Sequence, residues 1–329
     1  MRDFADCNGV RLLLFNPQTY NGQITQIKLN DSTHAVGGEQ AFAFHFFESK
    51  RSYRPLLALE VGDIYPYEWP PVCCQAYGSA LESPLSWAKA AVDKGAQAIV
   101  LELKSIDPNG QNAGPESVCE LVEKLLPDLQ VPLIVWGCDN VEKDALVLAA
   151  LAEKFSGHQL VLGPVEEANY QLLANMALKH GHIICASSPI DVNLAKQLNI
   201  LLRNQGLPLD RIIIDPTTGG LGYGLEYTYS VMERLRIAAL QQNDQTLALP
   251  IICNLGEEIW KSKEARLLQS DVPEMGEDSR GIMMEVSAGV SLLLAGADIL
   301  VLSHPQSLKL LREFIDNMYA PSRLEQAGA

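Results

Sequence analysis

The sequence predicts an α/β protein of the TIM (β/α)8 barrel class with an N-terminal β-hairpin extension, and three observations carry that prediction. From residue 54 onward one unit recurs: a short β-rich apolar run, a polar turn, then a segment with apolar residues at helical spacing. Eight such runs occur, continuously apolar rather than alternating, with polar residues only at or next to their ends. Strands buried on both faces read that way, and strands that alternate with helices form parallel sheets. The third observation is length, since 329 residues hold one barrel of about 250 residues and an addition.

In chain order, residues 1–50 show three β-like stretches, VRLLLF, QITQIKL and FAFHFF, separated by Asn-Gly and Gly-Gly pairs. Such pairs turn hairpins, so a β-rich extension is expected there. The barrel is expected over 51–320. Its strands fall at 55–61, 98–103, 131–136, 159–162, 182–185, 211–214, 250–253 and 298–302. Helices are expected between and after them at 84–94, 116–125, 141–154, 165–180, 192–205, 223–240, 282–295 and 305–317. The longest excursion, 254–280, contains a helical stretch, EEIWKSKEARLL, and a polar loop, QSDVPEMGEDS. Residues 321–329 read as a tail.

Composition narrows the function. The chain carries 40 acidic and 25 basic residues, a formal charge of −15, and so lacks the cationic surplus with which proteins displace counterions from nucleic acid. Its most apolar stretch, 281–302, is broken by Glu285 and Asp298 and falls short of the ~20 apolar residues that span a bilayer. The start, MRDFADCNGV, lacks the pattern of a signal peptide. A cytoplasmic protein that binds neither nucleic acid nor membrane is expected. The seven cysteines form no CxxC pair, which argues against an iron-sulfur cluster or a disulfide framework in this chain. Cys138, Cys185 and Cys253 fall near strand ends and could converge, but read more simply as small apolar wall residues.

In a barrel the residues that follow the strands line one open mouth. Here they are Glu60, Asp63, Glu102, Lys104, Ser105, Gly137, Asp139, Gly163, Ser187, Ser188, Asp215, Thr217, Thr218, Asn254, Gly256, Ser303 and His304. They include several carboxylates but no nucleophile with a base beside it, and no two histidines at metal-ligand spacing. No hydrolytic site, catalytic residue or metal ligand is assigned. The most distinctive segment is IDPTTGGLGYG (214–224), whose glycines stand at 219, 220, 222 and 224. Clustered glycines let backbone approach a bulky partner, and the following helix start can offer amides to anions or carbonyls. The spacing is not that of a dinucleotide fingerprint, and a plain surface turn is the alternative. Asp139 and Asp215 are the best acids, with helix capping as their alternative role. His180, His182 and His304 read as packing or capping residues, and Glu226 and Arg234 as helix-surface charges. The D-x-H-x-x-G pattern of a histidine-ligated corrinoid is missing, because Asp31, His34 and Gly37 carry one residue too many.

The runs SSPIDVNLAKQLNILL (187–202), DPTTGGLGYGLEYTYSVMERLRIAAL (215–240), EEIWKSKEA (257–265) and SAGVSLLLAGADILVLSHP (287–305) resemble the small subunit of the corrinoid iron-sulfur protein. The archaeal counterpart of that family is the delta subunit of acetyl-CoA decarbonylase/synthase. Similarity extends through GGE (37–39), WPP (69–71), WAKAAVDKGAQAIVLEL and VPLIVWGCDNVEKD. It implies a TIM barrel paired with a large subunit, with a corrinoid lying between the barrel mouth and the large subunit's mobile cofactor domain. The cobalt would take a methyl group from methyltetrahydrofolate through a separate methyltransferase and deliver it to acetyl-CoA synthase/CO dehydrogenase in the anaerobic acetyl-CoA (Wood-Ljungdahl) pathway. The iron-sulfur cluster would belong to the large subunit only, and the corrinoid would need no histidine from the protein. On this reading the barrel is a non-catalytic or co-catalytic subunit that shields and positions the cofactor. Contact is expected first from Gly219, Gly220, Leu221, Gly222 and Tyr223, then from Trp136, Gly137, Asp139, Asp215, Thr217 and Thr218. Two rivals stand beside it. One is a barrel methyltransferase that holds a pterin through Asp139, Asp215 and Asn254. The other is a purely architectural subunit.

Overall fold

The computed structural model describes residues 18–30, 34–49, 53–267, 270, 274 and 276–320, with backbone only at 277 and 278. VRLLLF, Cys7, Asp31, the 321–329 tail and much of QSDVPEMGEDS lie outside the described residues. Among the described residues ten strands are present: β1 Ile27–Leu29, β2 His34–Val36, β3 Leu56–Gly62, β4 Ala98–Glu102, β5 Leu133–Trp136, β6 Val161–Val165, β7 Ile183–Ser187, β8 Ile212–Asp215, β9 Ile252–Asn254 and β10 Ile299–Leu302. The last eight form a parallel sheet in the order β8-β7-β6-β5-β4-β3-β10-β9. Its two ends meet through a parallel bridge between Ile214 and Ile251, where the Ile214 amide donates to the Pro250 carbonyl at 2.8 Å. The expected barrel is therefore the observed one.

Period-two alternation sorts its side chains. Leu57, Leu59, Ile99, Leu101, Val135 and Leu300 face outward and pack with the helices. Ala58, Val100, Ile134, Ile183, Ile213, Ile252 and Val301 face the lumen. The β1/β2 hairpin joins that inner cluster through Ile27, Leu29 and Val36. Burying each such side chain contributes about 1.5–3 kcal/mol, which stabilises a two-stranded unit that would be marginal alone. Amides of Gly22 and Thr25 donate to the carbonyls of Leu240 and Ala248 at 3.0 and 2.8 Å, so the extension sits at the end where the chain enters β9. It plugs the bottom of the barrel, and the opposite end is left as the mouth.

The helices are α1 Pro71–Tyr77, α2 Pro84–Asp93, α3 Pro115–Leu125, α4 Val141–Lys154, α5 Tyr170–His180, α6 Val192–Asn204, α7 Leu225–Leu240, α8 Gly256–Trp260, α9 Glu277–Leu294 and α10 Pro305–Tyr319. Four expectations need correction. FAFHFF is a run of turns, not a strand, because Phe44 anchors edge-on against Phe314 and Tyr319 of α10 at 5.7 and 6.1 Å. EEIWKSKEARLL stops at Trp260, whose carbonyl accepts from the Arg266 guanidinium at 2.5 Å. The helix expected from 165 starts at Tyr170, since β6 runs on to Val165 and the Asn169 carboxamide then accepts from the Glu166 amide at 2.8 Å. Helix α9 begins before residue 282 so that Gly281 can lie against the buried Trp260 ring, which occupies the space a Cβ would need.

The cysteines do not converge. Cys185 faces the lumen, whereas Cys253 faces the helix layer and meets Met232 of α7. Arg236, on α7, is a buried cation that sequence reading passed over. It pairs with Asp298 and donates to the carbonyls of Leu249 and Gly296 at 3.0 and 2.6 Å. Asp298 in turn accepts from the Ile251 amide at 2.8 Å. Replacing Arg236 by Met leaves the Asp298 charge unpaired, so urea titration is expected to show a loss of about 3–5 kcal/mol, partly recovered in the Arg236→Met, Asp298→Ala double variant. A loss under about 1 kcal/mol would show that the pair is dispensable.

Candidate functional site

The upper lumen changes character because the last inward position of most strands is polar. Glu60, Glu102, Ser187, Asp215, Asn254 and Ser303 continue the rows that hold alanine, valine, isoleucine and cysteine lower down. Glu60 accepts from the Ser303 hydroxyl, and the Ser303 amide donates to Glu285 of α9 at 2.7 Å. Glu102 accepts from Asn254 Nδ2 at 3.3 Å. Lys104 Nζ lies 3.7 Å from Glu102 and 3.1 Å from Glu257 at the start of α8. Asp63 takes both the amide and the hydroxyl of Ser105, at 3.0 and 2.5 Å, and so fixes the loop after β4.

These acids are buried, and burial is the main cause of their raised pKa values. Glu60 is pushed up to about 8, helped by the Glu102 charge. Glu102 rises to about 7 against the pull of Lys104, and Glu285 to about 7. Asp215 rises to about 6 although Ser187 and Thr217 hydrogen bonds oppose the shift. Burial works against the Lys104 charge, yet Glu102 and Glu257 hold its pKa above the ordinary lysine value.

The nominated residues separate into three kinds. Trp136 is buried in the lumen beneath the mouth. Gly163 admits its ring, since a Cβ there would stand 3.1 Å from the indole. Gly137 is glycine because the Asp144 carboxylate occupies the space a Cβ would need, and that carboxylate accepts from the Cys138 amide at 2.8 Å. Asp215 and Thr217 are tied into the wall. Asp215 Oδ2 accepts from Ser187 Oγ at 2.6 Å and Oδ1 from the Thr217 amide at 3.1 Å, while Thr217 Oγ1 donates to the Ser188 carbonyl at 2.7 Å. Thr218 is buried beside them. Asp139, with a φ of 62°, is exposed at the mouth.

The glycine loop differs from the expected amide cradle. A Cβ on Gly219 would meet the Gly224 backbone at 2.5 Å, and one on Gly220 the Glu258 carbonyl at 2.9 Å, so both glycines serve the packing of the loop itself. The amides of Tyr223 and Leu225 both donate to the Gly220 carbonyl, at 2.9 and 3.1 Å, and that of Gly219 to Thr228 Oγ1 at 2.9 Å. What the loop presents outward is Leu221, Gly222 and Tyr223, all exposed. The Tyr223 hydroxyl donates to Glu264, tying the loops after β8 and β9 together at the rim. Across the ring, the loop after β3 exposes Tyr65 and Tyr67.

Two of the histidines are engaged with nearby backbone. His304 Nδ1 accepts from the Gln306 amide at 3.0 Å and caps α10, and His182 Nδ1 accepts from the Leu160 amide at 3.2 Å. Glu257 and Glu285 were not nominated by sequence reading. For Glu285 the signal was available, a single carboxylate interrupting an otherwise apolar helix. Among the described residues no group of three or more His, Cys, Asp or Glu side chains is arranged to hold a metal ion, and no helix is long and apolar enough to cross a membrane.

The raised acids bind protons more tightly in the folded chain than in the unfolded one. Their contribution to stability is complete below the ordinary carboxylate range and is lost as pH rises through about 6 to 8. Thermal melts are expected to show the melting temperature falling between about pH 5 and pH 8, with a shallower fall in Glu60→Gln. A melting temperature that climbs over that range, or an unchanged slope in the variant, would contradict the assignment.

The barrel geometry has counterparts among solved structures. Dihydropteroate synthase from Yersinia pestis, in a complex with a pterine-sulfa conjugate, superposes with a TM-score of 0.54 at 12% identity, over 89% of this chain and 98% of that one. The enzyme from Thermus thermophilus gives 0.53 at 16% identity, over 90% and 100%. At those identities the likeness shows the fold alone. Sequence comparison reaches further. The Archaeoglobus fulgidus acetyl-CoA decarbonylase/synthase complex subunit delta is 32% identical over 317 residues, 92% of this chain and 70% of that protein. Its Methanothermobacter thermautotrophicus counterpart is 33% identical over 306 residues, 91% and 77%. The family model for the CO dehydrogenase/acetyl-CoA synthase delta subunit matches residues 25–323, nearly the whole chain, and the protein belongs to that family.

Proposed function

We propose that this chain is the barrel subunit of a cytoplasmic corrinoid iron-sulfur methyl carrier, and that its mouth covers one face of a corrinoid carried on a large partner subunit. The observation that carries this reading is the division of the mouth into a polar floor whose groups are largely engaged with one another and a rim where the loops after β3 and β8 expose tyrosine and leucine side chains. Leucine and tyrosine side chains standing out from the rim are suited to a large apolar-faced molecule.

The residues fit a corrinoid. A macrocycle with apolar faces and amide-bearing edges wants apolar contact and few competing charges. Leu221, Tyr223 and Tyr227 supply that contact on one side, and Tyr65 and Tyr67 on the other. The nearest histidine, His304, spends Nδ1 on a helix cap, in keeping with a cofactor that takes no imidazole from this chain. When bound, the corrinoid supplies a cobalt centre that takes up and gives up a methyl group. The chain's own part is to seat the ring against Leu221 and Tyr223, to exclude water from the covered face, and to leave the opposite face accessible to a methyltransferase and to acetyl-CoA synthase/CO dehydrogenase. The iron-sulfur cluster lies on the large subunit in this account.

The pterin-binding alternative is weaker on geometry. Both oxygens of Asp215 and the amide nitrogen of Asn254 are already engaged, Trp136 fills the lumen beneath them, and of the three residues proposed for that role Asp139 alone stands exposed. Bulky substitution at Gly219 or Gly220 would distort the loop itself, so rim side chains make the cleaner test. Leu221→Asp is expected to weaken association with the corrinoid-loaded large subunit about tenfold or more, a loss of about 1.4 kcal/mol, in a pull-down read by cobalt content. Leu178→Asp, on the outer face of α5 and similarly exposed (42% against 36%), is expected to leave association unchanged. Equal behaviour of the two variants, or tight methyltetrahydrofolate binding by the isolated chain, would overturn the proposal.

A further inference from the structure

The rim loop that carries Leu221 and Tyr223 has little of its own to hold a side chain in place. Gly219 and Gly220 fix its base against the Gly224 backbone and the Glu258 carbonyl, but Gly222, with a φ of 81°, has nothing within 4 Å of the position a Cβ would take. Leu221 and Tyr223 flank that open glycine and are 36% and 57% exposed. A ring on such a support would choose freely among rotamers, and fixing it at the moment of binding would cost entropy.

One contact removes that freedom. The Tyr223 hydroxyl donates to both carboxylate oxygens of Glu264, at 3.0 and 2.8 Å. That hydrogen bond is the main cause of a Tyr223 hydroxyl pKa above its ordinary value and a Glu264 carboxyl pKa below its own. Hydrogen bonds to an ionised acceptor are stronger than neutral ones, and exposure to water weakens this one without changing its direction. The backbone that carries Glu264 is well anchored. It lies in the turn Glu264–Arg266 after α8, where Ala265 is buried and its amide donates to Ser262 Oγ at 3.4 Å. The next side chain, Arg266, donates to the Trp260 carbonyl at 2.5 Å, and the Trp260 ring is sealed against Gly281 of α9.

We propose that Glu264 is a positioning residue, which sets the Tyr223 ring at the rim before the ligand that covers the mouth arrives, so that binding need not order it. A phenylalanine at 223 would offer the same apolar face; the hydroxyl is what lets the loop after β9 hold a ring borne by the loop after β8. The proposal rests on the corrinoid reading for the nature of the ligand. The ordering of the ring takes place in this chain alone.

The test is a double-variant series read in two ways. The first needs no partner. With 3-fluorotyrosine incorporated in the full chain, and the Tyr223 signal assigned by its loss in Tyr223→Phe, fluorine NMR is expected to show Tyr223 ionising at higher pH in the wild type than in Glu264→Ala, with Glu264→Gln between them. The second is association with the corrinoid-loaded large subunit, read by cobalt content. Glu264→Ala is expected to weaken it about fivefold, Tyr223→Phe by a similar factor, and the double variant no further, whereas Glu264→Gln, whose carboxamide oxygen still accepts the hydroxyl, stays within about twofold of the wild type. A Tyr223 signal that is the same with and without Glu264, or a Glu264→Ala loss that persists undiminished in the Tyr223→Phe background, would overturn the proposal. Leu221→Asp in the same series separates it from the reading on which it rests. If Leu221→Asp weakens association and Glu264→Ala does not, the positioning role alone falls; if neither does, the reading of the mouth falls and this proposal with it.

Discussion

The ring closes because Arg236 and Asp298 hold the starts of β9 and β10 against α7. The guanidinium reaches the carbonyls of Leu249 and Gly296, and the carboxylate receives the Ile251 amide, so one ion pair sets the positions at which both strands enter the sheet. Ile251 is also the residue that bridges to Ile214 and joins the two ends of the sheet. A charged pair at that depth contributes less through net attraction than through the penalty for separating it. Strand register, lumen and mouth all follow from that closure.

Once the ring is closed, alternation divides the lumen along its axis. Small and branched apolar side chains fill the lower levels, the hairpin seals the bottom, and carboxylates and hydroxyls gather at the top where the strands end. Partners for those groups come from neighbouring loops and helices: Ser303 for Glu60 and Glu285, Ser187 and Thr217 for Asp215, Asn254 and Lys104 for Glu102. A barrel enzyme ordinarily keeps such groups available for substrate. Here most are spent on one another, and the loops after β3 and β8 turn Tyr65, Tyr67, Leu221 and Tyr223 outward. In our proposal the end of the barrel that usually holds a pocket serves as a face.

Much of this was legible in the chain. All eight barrel strands were readable, because a strand buried on both sides is apolar along most of its length. Asp215 and Glu102 were recognisable as mouth residues once the strand ends were placed. The misreadings share a physical cause, namely that local pattern was overridden by a distant partner. FAFHFF has the composition of a strand, but Phe44 is fixed by α10, far away in sequence. The helical period of EEIWKSKEARLL continues past Trp260, but packing of that ring against His304 and Gly281 ends the helix. The glycine loop signalled close backbone approach correctly; which backbone was approached could not be read from spacing, and it proved to be the loop's own and that of α8. Arg236 looked like any helix cation, since nothing local marks a guanidinium whose partners lie 13, 60 and 62 residues away.

The central claim is that the mouth is the surface presented to the corrinoid-bearing partner. Amide hydrogen exchange of this chain, alone and in the reconstituted complex with that partner, addresses it most directly. Slowed exchange is predicted in the loops that follow the strands, residues 63–70, 137–140, 216–224 and 255–267, with the outer faces of α4, α5 and α6 unchanged. Protection confined to those outer helices, or to the hairpin end of the barrel, would contradict it.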